Sequence, residues 1–513
     1  MSEVKRLEAD VVVIAGGMSG LCASIAAAEK GASVIVFEKG GTVGGAANMG
    51  MGFFGVESHI QKRQLDSLTV DQAFKMIMEY NHWRADPSLI HKLYEQSGDT
   101  IKWVEDMGLE WLGAFRYFKD SQATWHVPKV PGSNKPVERS ASLIVKTLSD
   151  RAHELGVEFR FYTPVYEIIR EGNRVSGVRA RGEDGTEYEA DCDAVIVCTG
   201  GFGDNPEMIK EYLGYEHGEQ LFSFRIPGLK GDGMKMAWSI GAAKGPIGME
   251  MTYESPSFSG GCITDVVMRQ PNLMVNFQGK RFLNEEVMIN TPHTGNAICR
   301  QYKSTGFSIV TDEVVESYRK KGLDFVFYHK PAYTIDDWQE TVDNFFNDPS
   351  EREDSAKIFG DLMGVKDPSM RFFFRGDSME ELCEQTGIDY EGFKATIESY
   401  NAMCTSGQGD TQFGKDNRYM KPMKGKTWYA MRYMPSGYGS LGGIMINDML
   451  QVIDDEHRPI PGLYAAGTDT CSIFGDTYCF YLPGSTMGYA VNSGRMAGYN
   501  AVDYIDSDDF VED

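Results

Sequence analysis

The chain has 513 residues, 42% of them hydrophobic and 24% charged, with a net charge of −24. That balance excludes a disordered chain and suits a folded protein of about two to four domains at roughly 150 residues each. The acidic surplus argues against nucleic acid and anionic membrane as partners, because both need a basic footprint. No apolar run approaches the roughly 18 residues of a bilayer span. The charged start of the sequence lacks the apolar core of a secretory signal, so a cytoplasmic location is expected. Nine scattered cysteines contain no C-x-x-C pair and read as reduced thiols.

In chain order, residues 10–14 form a β-branched run bounded by glycine, which predicts a buried parallel strand. An alanine-rich helix over 21–29 and an apolar strand over 33–37 complete a βαβ unit. Asp86-Pro87 reads as a cap and first turn for a helix over 88–107, and a second helix is expected over 142–155. Residues 157–181 read as strands with a turn at Gly172-Asn173, followed by a hairpin turn at Glu183-Asp184-Gly185. Further buried strands are expected at 193–198 and around 462–467. The stretch from about 310 to 430 is aromatic, acidic and helical, with loops such as that at 347–350. The predicted class is α/β, a Rossmann-type nucleotide-binding domain interrupted by an inserted domain. The expected divisions are 1–245, 246–434 and 435–513.

The first βαβ unit carries the strongest signal. In Ala15-Gly16-Gly17-Met18-Ser19-Gly20, Gly17 lets the backbone approach a pyrophosphate and Gly20 lets the helix pack on the sheet. Glu38, 18 residues beyond Gly20, is placed to accept hydrogen bonds from an adenosine ribose. Ala15 stands where the fingerprint has its first glycine, at a cost of about 1–2 kcal/mol if that position needs positive φ. The loop over 39–52 holds six glycines in fourteen positions, which suits backbone pressed against an extended ligand. Its candidate binding residues are Lys39, Gly44, Gly45, Ala46, Ala47, Gly50, Met51 and Gly52, together with Ser19 in the fingerprint.

These motifs resemble the FAD flavoproteins of the fumarate reductase and succinate dehydrogenase type. The resemblance extends to Val195-Ile196-Val197-Cys198-Thr199-Gly200-Gly201-Phe202-Gly203, Gly231-Asp232-Gly233-Met234, Arg281-Phe282-Leu283-Asn284-Glu285 and Gly462-Leu463-Tyr464-Ala465-Ala466-Gly467. It implies an FAD domain with a capping domain, and an active site between them. It also implies that Val165 meets the adenine and that Thr199, Gly200 and Asp232 lie along the adenosine diphosphate. Gly467, Thr468, Gly484, Ser485, Thr486 and Met487 would surround the isoalloxazine. Family members with covalent FAD use a histidine in the glycine loop; none occurs over 39–52, which implies non-covalent FAD.

The family's proton-donating arginine falls on Ile289, while Asp265 matches its relay carboxylate and Arg269 lies one residue past its relay arginine. The dicarboxylate-binding histidines and arginines are also missing, so a dianion lacks the cationic donors it needs. Tyr481-Leu482-Pro483-Gly484-Ser485-Thr486-Met487-Gly488 is similar instead to the 3-ketosteroid Δ1-dehydrogenase branch. That likeness implies a ketone held by the Gly484 N–H and the Tyr481 hydroxyl, although strict register falls on Phe480. Tyr438 is a second candidate acid or base, and Tyr117, His126, Tyr253 and Asn290 are candidate substrate residues. The expected function is hydride transfer between flavin N5 and a carbonyl-activated C=C or CH–CH bond of a steroid-like or polyphenol-like enone, with a separate electron donor or acceptor. A 2-enoate reductase of the fumarate type with a substituted acid, and a non-catalytic flavin electron-transfer or sensor protein, are the alternatives.

Overall fold

A computed structural model describes residues 4–223, 227–255, 263–325, 365–367, 369–471 and 473–507. The chain divides into two compact units, the first made of residues 1–208, 226–249 and 439–513, the second of 209–225 and 250–438. The expected insertion is 246–434; compactness divides the chain at 249/250 and 438/439, and assigns 209–225 to the second unit. The reason for that assignment is local. Phe222 and Ser223 pair in parallel with Ser436 and Gly437, and Phe222 is buried with Phe372 and Met434. The loop expected at 347–350 lies outside the described residues.

The first unit is built on one sheet. Strands β1 (Lys5–Ile14), β2 (Val34–Phe37), β3 (Glu158–Arg160), β4 (Val165–Glu171), β5 (Arg174–Arg181), β6 (Glu187–Val197), β7 (Gln451–Ile453) and β8 (Pro459–Ala465) follow in chain order. Across the sheet the order is β7-β8-β6-β1-β2-β3, and the β4–β5 hairpin joins through β5 to β6. β8, β6, β1, β2 and β3 run parallel, so their carboxyl ends share one edge. Val11, Val12 and Val13 are fully buried, each worth about 1.5–3 kcal/mol of apolar burial. The expected strands at 10–14 and 193–198 are cores of longer strands, whose polar amino-terminal ends hydropathy alone does not mark.

Helices α1 (Met18–Glu29), α2 (Pro87–Asp106), α3 (Ala141–Glu154) and α4 (Ser485–Ile505) complete the frame. Asp86 caps α2 by accepting from the Ser88 and Leu89 N–H groups, with Pro87 in the first turn. α1 and α4 pack backbone to backbone: a Cβ on Gly494 would lie 2.2 Å from the Ser19 carbonyl oxygen. Any side chain there would force the helices apart.

The second unit holds an antiparallel sheet. Leu273–Val275 pairs with Gly306–Thr311, and Trp428–Ile444 lies between Gly306–Thr311 and Phe373–Gly376. Its core is aromatic, with Tyr253, Phe307, Tyr318, Phe374, Phe393, Tyr400 and Tyr433 buried together. A fully buried ion network ties distant segments of this unit. Arg281 donates from Nε and Nη2 to Glu285 at 2.8 and 2.7 Å, and from Nη1 and Nη2 to Asp410 at 3.0 and 2.7 Å. Lys415 donates to the Pro271 carbonyl at 2.6 Å and lies 3.4 Å from Glu285. Two cations against two anions leave no net charge in the core, and the Arg-Phe-Leu-Asn-Glu motif is structural here. Arg281→Ala should therefore cost about 3–5 kcal/mol, because it leaves buried carboxylates uncompensated; chemical denaturation of the purified variant measures it.

Candidate active site

The loops at the carboxyl edge of the sheet bring the predicted nucleotide residues together. Ala15 has φ 81°, the left-handed value that its fingerprint position demands, and its N–H donates to the Phe37 carbonyl at 2.8 Å. A Cβ on Gly20 would stand 1.9 Å from the Ala15 carbonyl oxygen, which makes glycine obligatory at that point. Gly17 is the N-cap of α1, and no side chain caps the helix there. The helix therefore presents amides and the positive end of its dipole to a ligand.

Glu38 accepts from the Gly16 N–H at 2.8 Å and the Gly40 N–H at 2.6 Å, one on each oxygen. Each oxygen keeps a second lone pair for a ribose hydroxyl. Lys39 pairs with Asp232 at 2.8 Å and donates to the Gly228 carbonyl, so these two predicted residues hold each other. The glycine loop runs back to the fingerprint, where Gly44 N–H donates to the Gly16 carbonyl at 2.8 Å. Gly50, Met51 and Gly52 are fixed by their carbonyls, which accept from the Ala141 N–H, the Ser140 hydroxyl and the Trp125 indole.

An FAD fits this edge. A Cβ on Gly17 would meet nothing nearer than the Cys198 carbonyl oxygen at 3.8 Å, and one on exposed Gly45 nothing nearer than the Gly17 Cα at 3.8 Å. These bare glycines leave the uncapped start of α1 open to the close approach of a ligand. Outward from Glu38, an open cleft lined by Lys39, Tyr162, Pro164, Tyr166 and Arg181 flanks Val165, the expected adenine contact.

At the ends of β6 and β8 a residue that sequence reasoning missed joins two predicted segments. Asp469, fully buried, accepts from the Gly200 and Gly201 N–H groups at 3.0 and 2.8 Å and from the Thr199 hydroxyl at 2.9 Å. Gly467, at φ 71°, is held by its N–H on the Ser493 hydroxyl at 3.0 Å, next to half-buried Thr468. A carboxylate two residues after the glycine at Gly467, in a segment otherwise free of charge, is the sequence signal for Asp469.

The start of α4 is surrounded by rings. Gly484 is the N-cap at φ 85°, and its carbonyl accepts from the Phe54 N–H at 2.9 Å. The Ser485 N–H, expected to face the flavin, donates to the Tyr478 hydroxyl at 3.0 Å. Tyr481 is half-buried, with its ring 5.8 Å from Phe118 and 6.0 Å from Tyr80. Phe480 lies 4.4 Å from Tyr117, and Tyr117 lies 5.6 Å from Trp125. The guanidinium bordering this loop, Arg84, is paired with Asp476.

His126 is buried beneath that group. Its Nδ1 lies 3.0 Å from the Thr124 carbonyl and its Nε2 2.6 Å from the Ser58 hydroxyl, so both ring nitrogens are engaged within the unit. It is a packing residue and does not line the aromatic surface. Burial lowers its pKa to about 4, which keeps the ring neutral at physiological pH.

The remaining candidates belong to the second unit. Arg269 is buried against Glu254, with its guanidinium 4.4 Å from the Tyr253 ring and 5.4 Å from that of Tyr433. The Tyr253 hydroxyl donates to the Met288 carbonyl at 2.8 Å, which makes it a core residue. Asn290 caps the helix Thr291–Cys299 by accepting from the His293 N–H, and its buried Nδ2 has no partner. Tyr438 is 40% exposed. Asp265 lies in the helix Ile263–Met268, with its side chain outside the described residues. Ile289 ends the turn Glu285–Ile289, and no arginine occupies that turn.

Residues 10–480 match the model of the FAD binding domain family. The chain belongs to this family of flavoproteins, the fumarate reductase and succinate dehydrogenase type, and is an FAD-dependent oxidoreductase. It is 28% identical to the vinyl phenol reductase of Lactiplantibacillus plantarum over 98% of each chain. It is 27% identical to a fumarate reductase (cytochrome) of Shewanella frigidimarina, over 96% of this chain and 77% of that one. Among solved structures it is similar to the 3-ketosteroid Δ4-(5α)-dehydrogenase of Rhodococcus jostii RHA1, with TM-score 0.72, 20% identity, and 96% and 97% of the two chains covered. That likeness is one of fold. Enzyme-class membership sets aside the non-catalytic alternative. Among the described residues, no helix is long and apolar enough to cross a membrane.

The neutral, buried His126 sets a pH dependence with a defined sign. Its folded pKa of about 4 lies below the unfolded value of about 6.5, so the unfolded chain binds the extra proton between them. Stability contributed by this group is complete above about pH 6.5 and is lost as pH falls towards 4, by up to about 3 kcal/mol. Denaturation series at pH 7 and 4.5 should show a smaller loss in His126→Gln than in the parent.

Proposed function

We propose that this flavoprotein exchanges a hydride with a C=C or CH–CH bond activated by a carbonyl or a phenol, on a polyphenol-like or steroid-like ligand. The observation that carries this reading is the cluster of rings before Gly484, in which half-buried Tyr80, Tyr117 and Tyr481 pack on buried Phe118, Trp125 and Phe480. Rings at these separations offer faces and edges for a flat aromatic ligand. The nearby Arg84 is paired with Asp476 and the Arg116 guanidinium donates to the Ser121 carbonyl, so both are engaged within the protein rather than set as a clamp for a dianion. The vinyl phenol reductase relative, aligned over nearly all of both chains, supports a phenolic ligand.

FAD would be held by Gly17, Ser19, Gly20, Glu38 and the 44–52 loop at its adenosine diphosphate, with Thr199 and Gly200 alongside. Gly467, Thr468 and residues 484–487 would hold its ring system. When bound, FAD supplies hydride exchange at N5. The chain's own part is to hold the ligand oxygen with neutral donors. The Tyr481 hydroxyl and the Gly484 N–H stabilise negative charge on that oxygen, and a tyrosine hydroxyl also returns a proton. Tyr438 is the second candidate for that proton. The inserted unit acts as the cap, and a separate donor or acceptor supplies or removes electrons. A 2-enoate reductase of fumarate type remains the second reading, favoured by buried Arg269 with Glu254 and by the fumarate reductase relative.

Stopped-flow reoxidation of the reduced protein by 4-vinylphenol, a hydroxycinnamate, an enone steroid and fumarate tests the assignment. A phenolic or enone acceptor should react at least about 100-fold faster than fumarate, the margin expected when a dianion meets no cation. Fumarate as the fastest acceptor would select the second reading. Tyr481→Phe should lower kcat by about 100- to 10,000-fold at unchanged flavin content. Full turnover in that variant would remove Tyr481 as the acid. Denaturation in guanidinium should release the flavin entirely into the protein-free filtrate, as non-covalent binding requires.

A further inference from the structure

Asp469 ends the short turn Gly467–Asp469 that follows β8, and it is fully buried. Both of its carboxylate oxygens are occupied by the loop that follows β6. Oδ1 accepts from the Gly201 N–H at 2.8 Å, Oδ2 accepts from the Gly200 N–H at 3.0 Å, and the Thr199 hydroxyl lies within 3.0 Å of both. The next amide, Phe202 N–H, donates to the Ser440 hydroxyl at 2.8 Å. Gly233 N–H donates to the Thr199 oxygen at 3.2 Å, which leaves the hydroxyl proton available to Asp469.

Every partner of this carboxyl group is a donor, and none is cationic. Two backbone amides and a hydroxyl converge on the carboxyl group, a set that accommodates the ionised form. Burial pushes the group above the ordinary carboxylate range while the N–H donors pull it back. The oriented amides are what would hold the ionised form in the interior, against the burial that raises its pKa.

We propose that Asp469 is a positioning residue for FAD: it clamps the 199–201 loop to the 467–469 turn across neighbouring parallel strands and sets a negative charge beside the flavin. This rests on the assignment of both segments to FAD made above. β6 and β8 pair at Val195–Leu463 and Val197–Ala465, so the two segments leave the sheet side by side at its carboxyl edge. Ligands of open parallel sheets bind at that edge. A buried anion there opposes the gain of electrons by the flavin, because the low-dielectric interior screens it poorly.

The test uses the purified full-length protein, stripped of flavin and titrated with FAD. Asp469→Asn keeps the shape, but it sets an NH₂ group against an N–H donor and removes the charge. Its FAD dissociation constant should rise on the order of 10- to 100-fold, the range for loss of charge-assisted hydrogen bonds. The midpoint potential of flavin that does bind should move positive. Thr199→Val removes one donor and keeps the charge, so its dissociation constant should rise a few-fold with little change in potential, and Thr199→Ser should restore the parent value. A lowered melting temperature with parental FAD affinity and potential in Asp469→Asn would reduce the residue to a structural role and overturn the proposal. If Asp469→Asn does not fold, a Thr199→Val variant with parental affinity overturns it equally. A parent protein that takes up no FAD would instead sink the assignment of the two segments.

Discussion

The Ala15 carbonyl lies so close to Gly20 that a Cβ there would stand 1.9 Å from its oxygen, and the first turn of α1 depends on this contact. The same requirement recurs where α4 crosses α1 at Gly494. Together these contacts draw the helix start, the glycine loop and the last helix against one edge of the sheet. At Gly20 and Gly494 backbone thus meets backbone with no room for a side chain. Ala15 itself is held at positive φ because its neighbours leave the turn no other path.

Charge is handled differently in the two units. In the first, the acids at the carboxyl edge, Glu38 and Asp469, are answered chiefly by amide N–H groups, for Asp469 those of the loop that follows β6. In the second, Arg281 meets Glu285 and Asp410 directly, and Arg269 meets Glu254. Guanidinium groups therefore serve the interior of the second unit, while neutral donors and rings border the start of α4.

The βαβ frame was legible because its signals are local. A β-branched run ends in glycine, a helix follows, and an acid sits at fixed spacing; each element formed where that pattern put it. The conformation of Ala15 was also readable, because the fingerprint position itself demands positive φ. What escaped depends on contacts between residues far apart in sequence. Asp469 meets Thr199 only after strands β6 and β8 align, and no local pattern carries that pairing. His126 shows the opposite failure: its neighbourhood in sequence suggested a ligand surface, whereas Ser58 and Thr124 occupy both ring nitrogens. Tyr253 likewise uses its hydroxyl on a backbone carbonyl within the core.

The second unit interrupts the first, and β8 and α4 belong to the returning segment. During synthesis the long inserted stretch emerges before them, so β6 waits with one edge open and α1 with its glycine-matched face bare. The glycine contact between α4 and α1 can form only once that returning segment has been made, so the frame closes last at its final helix.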